Sequence, residues 1–234
     1  MLLPGYVKMP NKAMQLDNLR AVHLCAARCA PFVAHNRPAR KLRLMAALGH
    51  KKRKIMRHEI RDEVSSIVPA DANEEQTKQD VLEWIDSGVE LCRLQKPATP
   101  NKHLISYFVV VDYPYILLVD HINAQLWLPT GGHVDPGEHP RDTIIREAME
   151  ELSLESKFMQ ENPVFLTSTE TVGLTSGHTD VSLWYVLQGS RKAEYSYDRS
   201  EFKSIRWFHI DELPYGKTDP EMRRFVHKLE KISG

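Results

Sequence analysis

Residues 132–154 read GHVDPGEHPRDTIIREAMEELSL, the most informative segment of the chain. Residues 141–152 contain neither glycine nor proline, and Pro140 stands just before them, where proline suits the first turn of a helix. The sequence therefore predicts a helix over residues 141–152. At about 100° per residue, its packing face is predicted to carry four apolar residues: Ile145, Ala148, Met149 and Leu152.

Three glutamates fall on the opposite face of this helix, next to Arg146. Glu147 precedes Glu150 and Glu151 by three and four positions, so the three carboxylates share about one turn of helix surface. Like charges this close repel, and a single arginine cannot neutralise all of them. The cluster predicts a hard divalent cation with oxygen ligands, Mg²⁺ first and Mn²⁺ second. Taken alone, the triplet would also be typical of a solvated acidic face.

Glycine-containing segments at residues 128–132 and 135–138 precede the helix. We expect them to form a loop whose backbone N–H and C=O groups can approach phosphate and metal closely. A loop that leads into an acidic helix is typical of a polyphosphate and metal site, which favours the functional interpretation of the triplet.

The order and spacing of these residues resemble the signature box of the Nudix hydrolases. The matching positions are Gly132, Glu138, Arg146, Glu147, Glu150, Glu151 and the aliphatic end position Leu154. One position departs, because Ser153 stands where the family usually has glycine. That glycine closes the helix in a left-handed conformation, which a serine adopts at a cost of about 1 kcal/mol. Ser153 is not a metal ligand, so we expect an intact box.

The resemblance implies a role for each charged residue of the box. Glu150 and Glu151 are expected to ligate the metal, with Glu150 also counted as catalytic. Glu147 is expected to ligate it or to activate water, which leaves the identity of the base open. Arg146 is expected to orient the carboxylates, and Glu138 to support the site or add a metal ligand.

The reaction implied by the resemblance is metal-dependent hydrolysis of a diphosphate linkage in a nucleoside diphosphate derivative. The predicted substrate contacts are Gly131 and Gly132, whose carbonyls can also complete the metal shell, and His178 and Asp180 at a candidate specificity loop over residues 173–179. His178 and Asp180 also have a commoner interpretation, as a solvated histidine and a capping aspartate. Glu170 is a further candidate for an extra carboxylate.

Substrate identity is less well determined than the reaction. Trp127, Trp184 and Tyr185 can stack on a nucleobase, although aromatic residues on apolar strands are more often core. The sequence shows neither the proline-marked pattern of ADP-ribose hydrolases nor the tyrosine-marked one of dinucleoside polyphosphate hydrolases. This favours a nucleoside triphosphate or a modified nucleotide as substrate.

The rest of the chain predicts an α/β fold, which the resemblance specifies as an α/β/α sandwich around a mixed β-sheet. Apolar, β-branched and aromatic runs predict strands at residues 104–111, 115–119, 125–128, 164–172, 180–187 and 205–208. A turn at residues 112–114 joins the first two as a hairpin. Helical periodicity predicts further helices at residues 73–87 and 221–232.

The chain is predicted to have three parts: a basic extension over residues 1–55, a helical segment with a linker over residues 56–102, and the Nudix domain over residues 103–234. The formal net charge is zero, yet residues 1–55 carry twelve Lys and Arg against the single acid Asp17. The extension has three interpretations: an organelle-targeting leader, a basic arm for nucleic acid, or sequence upstream of a true start at Met56.

Composition bounds the remaining expectations. No apolar run approaches the length of a transmembrane helix, so we expect no membrane contact. Three cysteines are too few for a disulfide framework, which favours the cytoplasm unless the leader interpretation holds. The predicted partner is a nucleotide-type small molecule, and the oligomeric state is left open. The alternative function is a nucleotide-sensing, Nudix-like regulatory protein whose basic arm binds nucleic acid.

Overall fold

The computed structural model of the chain describes residues 56–96, 99–171 and 177–233. The interpretations of residues 1–55, and most of the candidate specificity loop, lie outside these residues. Within them, no helix is both long and apolar enough to cross a membrane.

Seven strands form a single mixed sheet. They are β1 Lys102–Asp112, β2 Tyr115–His121, β3 Leu126–Leu128, β4 Thr130–His133, β5 Phe165–Glu170, β6 Thr179–Gln188 and β7 Phe202–His209. The order is β3-β2-β1-β6-β5, with β4 paired to β1 and β7 paired to β2. β1 and β6 run parallel, and the other pairs are antiparallel. The first half of β1 therefore lies between β4 and β6.

Helices cover both faces of this sheet. One apolar core joins the sheet to α1 (residues 56–66), α2 (Ala72–Asp86) and α3 (Pro140–Leu152), and a second joins it to α4 (Met222–Ser233). The predicted α/β/α sandwich is confirmed, as are the hairpin and the helices on either side of the box.

Polar contacts bind the helices before β1 to the same folded unit. Tyr185 of β6 donates a hydrogen bond to Glu63 of α1 (2.8 Å), and Lys228 of α4 pairs with Glu74 of α2 (2.5 Å). Glu74 is 0% exposed and Lys228 7%, so neither charge has an alternative partner in water. Removing one member of such a buried pair costs about 3–5 kcal/mol. α1 and α2 thus contribute directly to the stability of the sheet domain.

The glycine-rich segment before the acidic helix is a strand, and the prediction of a loop is wrong at residues 130–133. Their backbone pairs with residues 105–108 of β1 in antiparallel register. This pairing satisfies backbone groups that a loop would leave for a ligand, and it fixes the position of Gly131 and Gly132.

The packing face of α3 also differs from the predicted one. Ile145 and Met149 are 48% and 54% exposed, whereas Ile144 is fully buried together with Ala148 and Leu152. The helix is rotated because it turns Glu147 and Glu151 inward against β4, whereas Glu150 stays 61% exposed. That rotation carries Ile145 and Met149 out to the surface.

α3 ends at Ser153 in the left-handed conformation, with φ 49° and ψ 37°. The N–H of Ser153 donates to the carbonyl of Met149 (3.2 Å), the bond of the simple left-handed helix cap, and the N–H of Leu154 donates to the carbonyl of Ala148 (2.9 Å). The prediction that serine adopts the conformation of the usual glycine is confirmed.

Candidate active site

A cleft of about 430 Å³ opens between β4 and α3. Six acidic residues line it: Asp135, Glu147, Glu150, Glu151, Asp198 and Glu201. Gly131, Gly132 and Arg146 also form part of its wall. We call this site the acidic cleft. It brings together the catalytic and metal-ligand candidates of the box with the two glycines, while Glu138 lies just behind it.

Arg146 holds the acids of the box in place. Its Nε and Nη2 donate to the two carboxylate oxygens of Glu138 (3.0 Å each), and its Nη1 donates to Glu147 (2.7 Å). The same Nη1 lies 3.5 Å from Oε2 of Glu150. A planar guanidinium that binds a carboxylate with two parallel bonds fixes its orientation as well as its charge. One arginine thus orients carboxylates from the loop and from two positions of α3.

Glu151 points from α3 toward β4 and is 8% exposed. The N–H of Gly131 donates a hydrogen bond to its carboxylate (3.2 Å). Burial, and then the neighbouring charges of Glu147 and Glu201, raise the pKa of Glu151 to about 9. Burial also raises the pKa of Glu147, although Arg146 opposes that shift. Without a counter-ion these carboxylates resist ionising together.

The two glycines of β4 permit a close approach to both neighbours. A Cβ at Gly132 would lie 1.9 Å from Oε1 of Glu147. A Cβ at Gly131 would lie 2.1 Å from the carbonyl oxygen of Ser106, and φ there is +148°, a region that glycine favours. Neither position has room for a side chain.

The NUDIX domain family model matches residues 102–229, which is more than half of the chain and includes every residue of the box. This chain belongs to the NUDIX family. It is accordingly an enzyme of the pyrophosphohydrolase type, acting on phosphoric anhydrides, and the acidic cleft is its candidate active site.

Individual relatives of this NUDIX chain are distant. Over 112 residues it is 28% identical to the asymmetrical bis(5′-nucleosyl)-tetraphosphatase of Rattus norvegicus, covering 48% of this chain and 75% of the relative. Among solved structures, a MutT NUDIX hydrolase from Burkholderia pseudomallei is 22% identical, with a TM-score of 0.44 over 53% of this chain and 95% of the other. The NUDIX domain of Shewanella oneidensis NrtR, crystallised with ADP ribose, is 15% identical, with a TM-score of 0.46 over 56% and 88%.

The donor set of this NUDIX cleft fits a hard divalent cation. Glu147, Glu150 and Glu151 offer carboxylate oxygens from adjacent turns of one helix, and the wall opposite is glycine backbone. Burial first, and then the charges of Glu147 and Glu201, raise the pKa of Glu151, so a cation that enters the cleft would favour its ionised form. Oxygen ligands with surplus negative charge are what Mg²⁺ and Mn²⁺ prefer in proteins.

Several residues of the cleft escaped prediction from sequence. Glu201 and Asp198 come from the loop before β7, which is held against α3 because the N–H of Asp198 donates to the carbonyl of Glu151 (3.0 Å). Arg93, from the segment before β1, lines the cleft too. No local spacing marks these residues. By contrast Glu170, predicted as an extra carboxylate, is exposed at the end of β5 and does not line the cleft.

His178 and Asp180 lie outside the cleft, contrary to the substrate-binding position expected for them. They meet His103 of β1 and His133 of β4, and we call these four residues the histidine cluster. His178 is 9% exposed and His103 is fully buried. Burial, followed by the charge of Arg93, lowers the pKa of His133 to about 3, so its imidazole is neutral. The parallel pairing of β1 with β6 places Asp180 beside His103.

The aromatic residues weighed as base-stacking groups are part of the core. Trp184 and Tyr185 are fully buried, and the Nε1–H of Trp184 donates to the hydroxyl of Thr167 (3.1 Å). Trp127 packs edge-on against Phe208. The core interpretation is therefore the correct one for the two β6 residues.

Proposed function

We propose that this NUDIX enzyme hydrolyses the diphosphate linkage of a nucleoside triphosphate or modified nucleoside triphosphate, using Mg²⁺ held in the acidic cleft. The observation that carries the proposal is the convergence of Glu147, Glu150 and Glu151 on a wall made of Gly131 and Gly132. When bound, the divalent ion neutralises charge on the phosphate oxygens and activates water. We also propose that the enzyme acts in the cytoplasm.

The residues of the cleft have distinct tasks in this proposal. Gly132 lets the carboxylate of Glu147 approach the backbone of β4, because a side chain there would occupy the space that this carboxylate fills. Arg146 keeps Glu147 and Glu150 oriented, and Glu138 forms a further ion pair with the same guanidinium group. Fixed donors of this kind stabilise developing charge without reorganising during the reaction.

Two carboxylates are placed to accept the proton of the attacking water. Glu147 lies against Gly132, and Glu201 faces the same cleft from the loop before β7. A general base must lie within hydrogen-bond reach of the water it activates, directly or through one other water. Separate substitution of the two glutamates distinguishes them, since only the base shifts the pH profile of the reaction.

The test is a panel of nucleoside triphosphates, nucleotide sugars, ADP-ribose and dinucleoside polyphosphates assayed with Mg²⁺ for phosphate and pyrophosphate release. The double variant Glu150→Gln/Glu151→Gln should lose at least about 100-fold in rate, as expected when charged groups at the reacting centre are removed. The matched control is Glu75→Gln/Glu83→Gln, since both glutamates are exposed on α2. Equal rates for the wild type and the cleft variant would refute the assignment of the site.

A second candidate substrate is a dinucleoside tetraphosphate, favoured by the 28% identity to the tetraphosphatase from rat. The products separate the two candidates. Release of pyrophosphate and a nucleoside monophosphate indicates attack on a triphosphate, whereas two nucleotides of unequal phosphate number indicate asymmetrical cleavage of a tetraphosphate bridge. A higher kcat/KM for the bridged compound would replace the first candidate by the second.

A further inference from the structure

We propose that the histidine cluster binds one Zn²⁺ ion at a site that adjoins the acidic cleft through His133 but uses none of the glutamates of the cleft. Its four residues, His103, His133, His178 and Asp180, each offer one ligand atom, and these atoms all lie within 4.8 Å of one another. Three imidazoles and one carboxylate form a nitrogen-rich donor set, which suits zinc and not magnesium.

The strand pairing explains why these residues meet. His103 pairs with Asp180 across the parallel β1 and β6, and His133 of β4 pairs with Ile105 of β1. Because side chains alternate along a strand, residues 103 and 105 share a face, and their partners on both sides share it too. His178 lies two residues before Asp180. Three neighbouring strands thus present His103, His133 and Asp180 on the face that α4 covers, and His178 joins them from the residue just before β6.

Two of the distances between ligand atoms match those of a tetrahedral zinc shell. Oδ1 of Asp180 lies 3.3 Å from Nε2 of His103 and 3.3 Å from Nε2 of His178. Ligands at Zn–N and Zn–O bond lengths of about 2.0–2.1 Å stand about 3.3–3.4 Å apart in a tetrahedron. The remaining separations are within 4.8 Å, so these ligand atoms would move closer together when the ion binds.

Hydrogen bonds outside the cluster orient the ring nitrogens toward its centre. Nδ1 of His103 lies 2.9 Å from the carbonyl oxygen of Pro100, which can only accept, so Nδ1 carries the proton. Nε2 of His103 is then left with a lone pair. Metal-bound histidines typically donate their other N–H to a carbonyl or carboxylate in this way.

His178 is held in the same state by Thr171. The hydroxyl of Thr171 lies 3.1 Å from the carbonyl oxygen of His178 and 3.1 Å from Nδ1 of the same residue. When the hydroxyl donates to the carbonyl, Nδ1 donates to the hydroxyl, and Nε2 of His178 presents a lone pair to the carboxylate of Asp180. Two lone pairs that face a carboxylate oxygen repel it, unless a cation lies between them.

A single protonated histidine paired with Asp180 is the simpler alternative, but it leaves too many groups unsatisfied. Among the described residues, Nε2 of His103, Nε2 of His133 and Oδ1 of Asp180 are buried with no hydrogen-bond partner. One added proton can satisfy only one nitrogen and the carboxylate. Unpaired buried polar atoms cost about 1–3 kcal/mol each, whereas one tetrahedral ion binds all four donors at once.

The site has four protein ligands and little exposure, which is the arrangement of structural rather than catalytic zinc. The ion would join β4, β1 and β6 at the end of the sheet where the acidic cleft begins. His133 directly follows Gly132, so zinc would also fix the wall on which Glu147 packs. We infer a stabilising role for this ion and a separate, exchangeable role for the cation of the cleft.

The experiment measures zinc in the full-length chain. The protein is treated with a chelator, incubated with Zn²⁺ in the presence of excess Mg²⁺, freed of unbound metal and analysed by inductively coupled plasma mass spectrometry. We expect about one zinc per chain and a rise in melting temperature on adding Zn²⁺. Co²⁺ in its place should give the intense visible absorption of a tetrahedral site. Wild-type protein that retains no zinc would overturn the proposal.

Variants locate the ion. His103→Gln and Asp180→Asn should each weaken zinc retention at least 10-fold and abolish the Zn²⁺-dependent rise in melting temperature. The matched control is His227→Gln on α4, whose side chain is 65% exposed, and it should retain the zinc. Circular dichroism identifies any variant that fails to fold, and His178→Gln then replaces it.

The cleft variant separates this proposal from the proposed function. Glu150→Gln/Glu151→Gln should lose hydrolysis and keep its zinc. If the zinc disappears from this variant but stays in His103→Gln and Asp180→Asn, the ion belongs to the cleft and the histidine site is refuted. Hydrolysis that fails in the wild type while zinc binds would refute only the proposed function.

Discussion

The acidic cleft and the histidine cluster meet at β4, where His133 belongs to the cluster and also lines the cleft, and they differ in the donor atoms that select an ion. The cleft offers carboxylate oxygens at a partly open surface, and Arg146 neutralises only part of their charge. The cluster offers imidazole nitrogens in a buried position with one carboxylate. One short strand can serve two sites, because consecutive residues point to opposite sides. Gly132 lies beside the carboxylate of Glu147, and the imidazole of His133 lies beside that of His103.

The largest expected effect comes from filling the space between β4 and α3. Gly132→Ala places a methyl group 1.9 Å from Oε1 of Glu147, so the glutamate must move. A displacement of about 1 Å at a catalytic group can cost about 100-fold in rate, and we expect a loss of that size in kcat/KM. Zinc content should stay unchanged, since the added methyl group points toward Glu147 whereas the imidazole of His133 lies beside that of His103.

The control for this variant is Gly216→Ala. A Cβ at Gly216 meets no heavy atom within 4 Å, so its activity should equal that of the wild type. If the activity of Gly132→Ala stays within about twofold of the wild type, the close contact with Glu147 has no part in catalysis. The cleft side of β4 would then have no demonstrated functional role.

The next largest effect on activity is expected at Glu201, a carboxylate of the cleft that sequence spacing does not reveal. Glu201→Gln removes a charge from the cleft and should lower kcat by about 10-fold or more, the lower range for a positioned acid–base group. Glu170→Gln is the matched control because Glu170 is exposed away from the cleft. The measurement is the steady-state rate of each variant relative to the wild type. A larger loss in Glu170→Gln than in Glu201→Gln would contradict the assignment of Glu201 to the active site.

A third prediction concerns the pH dependence of stability that the acidic cleft causes through Glu151. Glu151 has a pKa of about 9 in the folded protein against 4.5 for the unperturbed group. Between those values the folded chain holds a proton that the unfolded chain loses, so the free energy of unfolding falls as pH rises through this window. In chelator, Glu151→Gln should be more stable than wild type at pH 8, by more than about 1 kcal/mol.

Denaturant unfolding at pH 5 and pH 8 provides the measurement. The two proteins should differ little at pH 5, where Glu151 is protonated in the folded state and loses only part of its proton on unfolding. Saturating Mg²⁺ should flatten the pH dependence of the wild type. A stability difference between the two proteins that is the same at pH 5 and pH 8 in chelator would contradict the raised pKa of Glu151.

The smallest expected effect lies at the end of α3. Ser153→Gly relieves the left-handed conformation at φ 49° and should raise the free energy of unfolding by about 1 kcal/mol. For a chain of this size that corresponds to about 2–4 °C in melting temperature. Ser87→Gly is the control, because Ser87 at the end of α2 has φ −64° and gains nothing from glycine. Equal shifts in both variants would contradict the explanation.

The box and the strands around it could be predicted because their information is local. Helical spacing identified α3, the turn at residues 112–114 identified the hairpin, and the left-handed end of α3 was expected of Ser153. Prediction failed where tertiary contacts decide. The face of α3 was misassigned because Glu151 turns inward to reach the N–H of Gly131, a contact that periodicity alone cannot show.

The histidine cluster was missed for the same reason. His103, His133 and His178 stand far apart in the chain, and only the order β4-β1-β6 brings them together. The one local signal was the pattern His178-Thr179-Asp180, whose alternate residues share a strand face. The roles of the box residues in catalysis stay predictions, as do those of residues 1–55.

The strand β4 has a consequence for how this sequence can change over time. An insertion or deletion of a single residue between Thr130 and His133 would exchange the two sides of the strand, since side chains alternate with a period of two. A histidine would then enter the space beside Glu147, and a glycine would take the place of a zinc ligand. Both sites would be lost in one step, so we expect the length of this segment to tolerate less variation than its composition.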